Sequence, residues 1–201
     1  MITDFTSLKT AIADLLHRSD LTSVIPDFIG MAEKRMQVDL KASELEKTGT
    51  ITTTSGNNTV TLPADFSALV SASLNSSGQT ISLDCMPLSL LLEQYGNSTT
   101  GTPHSYALLN NNLILGPTPA GVLTITVRYS ANIPSLSVSN TTNDILTKYP
   151  DLYLHCCLVY AALYCQDDGL LQRHEAAYQS ALNAINNASW GRSGSLAMKA
   201  A

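Results

Sequence analysis

Charged side chains are scarce: Asp, Glu, Lys and Arg make up 13% of the 201 residues, about half the usual ~25%. The 11 Lys and Arg are outnumbered by 16 Asp and Glu, giving a net charge of -5. The cations are also scattered, so no basic field exists to attract phosphate backbones, and tight nucleic-acid binding is not expected. No apolar run reaches the roughly 20 residues a bilayer span needs. The longest, residues 152–165, is interrupted by His155, and no membrane contact is expected. Residues 1–16 lack a basic segment followed by a long apolar one, so secretion is not expected either. Cys85, Cys156, Cys157 and Cys165 include no CxxC pair, which argues against a zinc site or disulfide framework and for buried, reduced thiols. The phosphate loop, GxSxG elbow, GxGxxG turn and HExxH helix are all missing. What remains is a chain rich in Thr, Ser, Asn, Ala and Leu, whose surface must be uncharged polar or covered by partners. That favours assembly over a free monomer.

The hydrophobic period changes twice along the chain. Thr6 or Ser7 is placed to cap a first helix carrying Leu8, Ile12, Leu15 and Leu16. A second helix begins near Pro26 with Ile29, Ala32, Met36 and Leu40 on one face, and Lys34, Arg35, Asp39 and Lys41 mostly on the other. From residue 48 the period is two. Residues 50–54 and 59–62 around Gly56-Asn57-Asn58 read as a hairpin, as do 68–74 and 79–83 around Ser76-Ser77-Gly78, and 105–109 and 113–115 around Asn110-Asn111-Asn112. Residues 86–95 form a short helix stopped by Gly96, and 122–130 a strand with one apolar and one polar face. A polar connector, 133–143, leads to a third long helix, 151–166, a corner at Asp167-Asp168-Gly169, and a fourth helix striped by Leu170, His174, Ala177, Tyr178, Ala181, Leu182 and Ile185. After Trp190 the chain reads as a flexible tail. The expected class is α+β: a mainly α-helical bundle of two N-terminal and two C-terminal helices, with a β-rich insertion of antiparallel hairpins and one short helix. The expected boundaries are 1–47, 48–132, 133–188 and a tail of 189–201.

The third helix is apolar or small almost all round, and such a helix must be enclosed. It either sits at the centre of a monomeric bundle or is partly covered by a second subunit. Leu154, Leu158, Tyr160 and Tyr164 are the candidate interface residues in the latter case. Candidate chemistry is sparse. His155 stands beside Cys156 and Cys157, but adjacent helical residues point about 100° apart and do not face one another. His174 lies on an apolar stripe, where a histidine bonded to a polar neighbour outweighs a metal ligand. Glu44 with Glu46, and Asp167 with Asp168, are too close in sequence to flank a glycosidic cleft. The first pair reads as a solvated helix end and the second as turn chemistry. Trp190 suits either a docking anchor or the close of the bundle.

Several phrases occur together in order: Leu62-Pro63-Ala64-Asp65-Phe66, Gly101-Thr102-Pro103, Asn112-Leu113-Ile114-Leu115 followed by Pro117 and Pro119, Tyr149-Pro150-Asp151-Leu152-Tyr153-Leu154, and Asp167-Asp168. From the first helix to about Trp190 the chain thereby resembles the head-to-tail adaptor, or connector, proteins of tailed bacteriophages, those of short-tailed phages above all. The resemblance implies a noncatalytic homo-oligomer, a dodecameric ring beneath a twelvefold portal, contacting the portal protein and a tail or nozzle protein. DNA would pass through its channel without specific binding. It implies no cofactor, and a place in the virion neck after synthesis in the host bacterial cytoplasm. In such adaptors the C-terminal segment reaches the portal, which by position assigns docking to Trp190, Arg192, Leu196, Met198 and Lys199. The competing expectations are a phage-associated cell-wall hydrolase and a tail module that binds glycans through the β insertion.

Overall fold

The structure, a computed structural model, describes residues 1–192 other than 19, 77, 78, 97 and 98. Helices α1 (Phe5–Leu16) and α2 (Ile25–Asp39) precede strands β1 (Glu46–Thr52), β2 (Thr59–Thr61), β3 (Phe66–Ser76), β4 (Gln79–Ser82) and β5 (Asp84–Cys85). Then come α3 (Leu88–Tyr95), β6 (Thr100–Gly101), β7 (Ser105–Leu109), β8 (Asn112–Gly116), β9 (Thr118–Pro119) and β10 (Thr124–Ala131). Helices α4 (Asp144–Lys148), α5 (Pro150–Cys165) and α6 (Asp168–Arg192) complete the order. The class is α+β. Two compact units result, Met1–Leu45 with Ile133–Ala201, and Glu46–Asn132.

In the helical unit, α1 begins at a reciprocal cap. The Asp4 carboxylate accepts from the Ser7 N–H at 2.8 Å, and Ser7 Oγ accepts from the Asp4 N–H at 3.0 Å. The expected cap at Thr6 or Ser7 is thus two or three residues late. Phe5 is buried with Leu8 and Ile12, so the apolar stripe starts one turn earlier than Leu8, and the helix must start with it. Helix α2 begins at Ile25 with Pro26 in its first turn. The short α4, capped by Asn143, follows the connector and precedes α5, and was not expected. Helix α5 packs against α1, α2, α4 and α6. Its corner into α6 is made by Gln166 in the left-handed conformation (φ 56°), whose N–H closes α5, and by Asp167, whose carboxylate accepts from the Leu170 N–H at 2.9 Å. Helix α6 continues through residues 189–192, where the sequence reads as tail.

In the β unit, one sheet has the order β1-β10-β3-β4 and a second β2-β8-β7-β5. Val60, Tyr106, Leu113 and Leu115 of the second sheet share a core with Ala72, Leu74, Ile125, Val127 and Tyr129 of the first, so the sheets face each other. Helix α3 covers the back of the second sheet, seating Leu91 and Tyr95 on Ala107 and Ile114. The hairpins β3–β4 and β7–β8 form as read. The first expected hairpin does not. β1 pairs with β10 over seven positions, from Glu46↔Ser130 to Thr52↔Thr124, while β2 pairs with β8 and only one isolated bridge, Thr54↔Asn57, joins the intervening turn. A long ladder on β10 outweighs a short local one. A second correction concerns direction: β5–β7 and β6–β9 are parallel, since α3 lies between the first two and the β7–β8 hairpin between the second two, not a tight turn.

Candidate functional site

The near-absence of a polar face on α5 is explained by enclosure. Leu152, Tyr153, Cys156, Cys157, Leu158, Val159, Ala161 and Ala162 are all buried within the helical unit. The exception is the C-terminal end, where Leu163 and Tyr164 are 53% and 58% exposed. The Tyr164 ring lies 5.5 Å from that of Phe28 on α2. One turn further along α2 is Met31, 50% exposed, and seven residues beyond it Val38, 81% exposed. Seven residues are two helical turns, so both lie on one face of α2. The four candidate interface residues therefore fall at different depths. Tyr164 is exposed, Leu154 and Tyr160 are half-buried against the core, and Leu158 is inside it.

Between Met31 and Val38 on α2, Arg35 anchors a charged clamp that the sequence reading missed. Arg35 donates to both carboxylate oxygens of Glu175 on α6, at 2.8 and 2.5 Å, and to Asp39 at 3.2 Å. Its guanidinium lies 4.5 Å over the Tyr178 ring, and the Tyr178 hydroxyl donates to Asp39 at 2.8 Å. The bidentate hydrogen bonds from Arg35 hold the Glu175 carboxyl below its ordinary value, and burial pushes the Tyr178 phenol up. Arg35 and Asp39, expected on the polar face of α2, instead fasten α2 to α6. The spacing i, i+4 of Arg35 and Asp39 was the available signal, but their partner sits 140 residues away.

A second missed network is buried. Glu33, 5% exposed, accepts from the Leu136 N–H at 2.8 Å and the Tyr153 hydroxyl at 3.1 Å. Asn143 donates to the Tyr153 oxygen and the Pro134 carbonyl, each at 2.8 Å, and its own oxygen caps α4. Gln37, one turn after Glu33, accepts from the Ile133 N–H at 2.6 Å. These side chains satisfy the backbone of the connector where it crosses α2, a requirement for any irregular buried segment. Burial raises the carboxyl pKa of Glu33, against the lowering effect of its hydrogen bonds, and burial likewise raises Tyr153. Glu33 lies between Ile29 and Met36 on the apolar stripe, and that polar residue in a core position was the legible clue.

The residues weighed for catalysis do not converge. Cys156 and Cys157 are fully buried, and burial pushes the Cys156 thiol up to about 12 and that of Cys157 well above its ordinary value, the reverse of an activated nucleophile. His155 meets His174, with their Nδ1 atoms 3.2 Å apart and their rings stacked at 5.4 Å. Glu44 accepts from the Tyr149 hydroxyl at 2.8 Å, and Glu46 pairs with Arg128 at 2.6 Å. Among the described residues no three or more His, Cys, Asp and Glu group as they would around a metal, and no helix is long and apolar enough to cross a membrane.

Of the expected docking segment, Trp190 and Arg192 lie in the last turns of α6. Leu196, Met198 and Lys199 are outside the described residues. On the β unit, the outward face of the first sheet carries cross-strand rows of short uncharged side chains: Thr50, Thr126, Ser73 and Ser82 in one, and Thr52, Thr124, Asn75 and Thr80 in the next. Compared with known proteins, residues 3–199 match the family model described as SU10 adaptor protein. No curated protein matches the chain.

Proposed function

We propose that this chain, which belongs to the SU10 adaptor protein family of phages, is a noncatalytic ring subunit of the virion neck that joins the portal to the tail. The observation that carries the reading is the exposed apolar end of α5, Leu163 and Tyr164, with Met31 one turn beyond Phe28, the ring that Tyr164 meets on α2. Adjacent large apolar side chains left in water beside an enclosed core are surface for a partner. In this reading the long helices act as a bundle, and copies repeat around an axis with Tyr164, Tyr160 and Leu154 at the subunit contact and Leu158 supporting them from behind. Tyrosine suits such a contact, offering large area at low entropy cost.

The terminal segment, with Trp190, Arg192, Leu196, Met198 and Lys199, docks the portal protein, and the β unit meets the tail or nozzle protein. Twelve equivalent modest contacts give a lasting junction through effective concentration. DNA passes through the channel without specific binding, in keeping with a net charge of -5, since a basic wall would hold phosphates. The test is mass photometry and electron microscopy of the protein with and without a portal ring. A ring of twelve that adds to the portal, and fails to add when residues 189–201 are removed, is the expected result. A persistent monomer that never joins the portal overturns the reading.

A further inference from the structure

The histidines of α5 and α6 form a pair that the adaptor role does not use. His155 and His174 project from neighbouring antiparallel helices, with Nδ1 atoms 3.2 Å apart and ring planes inclined by 27°. Both are half-buried, so each ring is held by packing and still reached by solvent. Bonds of about 2.0–2.1 Å from a tetrahedral zinc ion hold two imidazole nitrogens roughly 3.3–3.4 Å apart. The observed separation is therefore within a few tenths of an ångström of that bite.

We propose that His155 and His174 together bind one divalent transition-metal ion, of the class of Zn2+, Ni2+ and Cu2+, through their Nδ1 atoms. The chemistry is that of a soft-to-borderline ion preferring imidazole to water, while Mg2+ and Ca2+, which take oxygen ligands, are rejected. In the unloaded pair one imidazole donates its Nδ1–H to the other. On binding, that ring moves its proton to Nε2 and both Nδ1 lone pairs face the ion, so two neutral rings release no net proton. Water fills the remaining positions. The neighbouring Arg173 opposes the ion's charge. Preorganisation on two packed helices is what lifts the pair above free histidine.

The test is calorimetric titration of the full chain with Ni2+ alone in a non-chelating buffer. One equivalent per chain is expected, with affinity falling roughly tenfold or more in both His155→Asn and His174→Asn, and unchanged in His17→Asn, His104→Asn and Cys165→Ser. Loss of binding in the controls instead, or equal binding in the two pair variants, overturns the site. Should either pair variant fail to fold, Cu2+ loaded on the unaltered protein decides by electron paramagnetic resonance. Couplings from two imidazole nitrogens support the proposal; couplings from one or none overturn it.

Discussion

Glu33 occupies a position on α2 that its apolar stripe would otherwise claim, and its carboxylate holds the connector through the Leu136 N–H. Its pKa is raised in the fold, so folded protein keeps a proton that the unfolded chain has released. Its favourable contribution is complete below the unfolded value of about 4.3 and is lost as pH rises through the higher folded value. Glu33→Gln keeps an acceptor for both donors and is expected to unfold at higher temperature than wild type at pH 8, with the difference vanishing by pH 4. Glu33→Ala strands two buried donors and is expected to lose on the order of 2–3 kcal/mol in urea titrations. Glu175 has the opposite sign. Arg35 lowers its pKa, so its contribution is present above the unfolded value and declines as pH falls through the folded one. Glu175→Gln should flatten the loss of stability below about pH 4.3; denaturation midpoints that track wild type through that range would contradict the clamp.

Elements depend on a few close approaches. Gly116 ends β8 directly under α3, and a Cβ there would stand 2.5 Å from Cδ2 of Tyr95 and 3.2 Å from Cγ of Leu91. Both side chains are core, not flexible ends, so α3 must shift. Gly116→Ala should cost about 1–3 kcal/mol, and faster hydrogen exchange at α3 amides than at β1 amides would locate the damage. The same scale shows where sequence reasoning held and where it failed. The β3–β4 and β7–β8 hairpins were legible because turn chemistry and alternation agree within a dozen residues. The β1–β2 hairpin looked equally good locally, yet β1 found β10 more than 70 residues away. Nothing in residues 50–62 reports that competition, since a ladder's length depends on both of its strands. α4 escaped notice because five residues are too few to show a period.

At the scale of the molecule, enclosure and exposure of α5 residues separate folding from assembly. Leu158→Ala removes buried volume from the core and should lose about 2–5 kcal/mol of stability. Tyr164→Asp removes a half-exposed ring whose aromatic contact is Phe28, so its effect on stability should be about 1 kcal/mol, below that of Leu158→Ala, while ring mass disappears in mass photometry. If Tyr164→Asp assembles as wild type does, the contact lies on another face. Arg35 lies between Met31 and Val38 on α2, so where that helix surface sits rests on the tie to Glu175 of α6.

The order of elements, the α+β class, the apolar stripes and two of three hairpins follow from residues close in the chain, because helical period, alternation and turn chemistry are local properties. So too does the expectation that a helix like α5 must be enclosed. Which parts of α5 are enclosed, and that its last turn is not, was decided only by how four other helices close around it. The meeting of Arg35 with Glu175, of Glu33 with the connector, and of His155 with His174 belongs to the same level. Each joins segments whose separation along the chain carries no trace of their proximity, so only tertiary packing could bring them together.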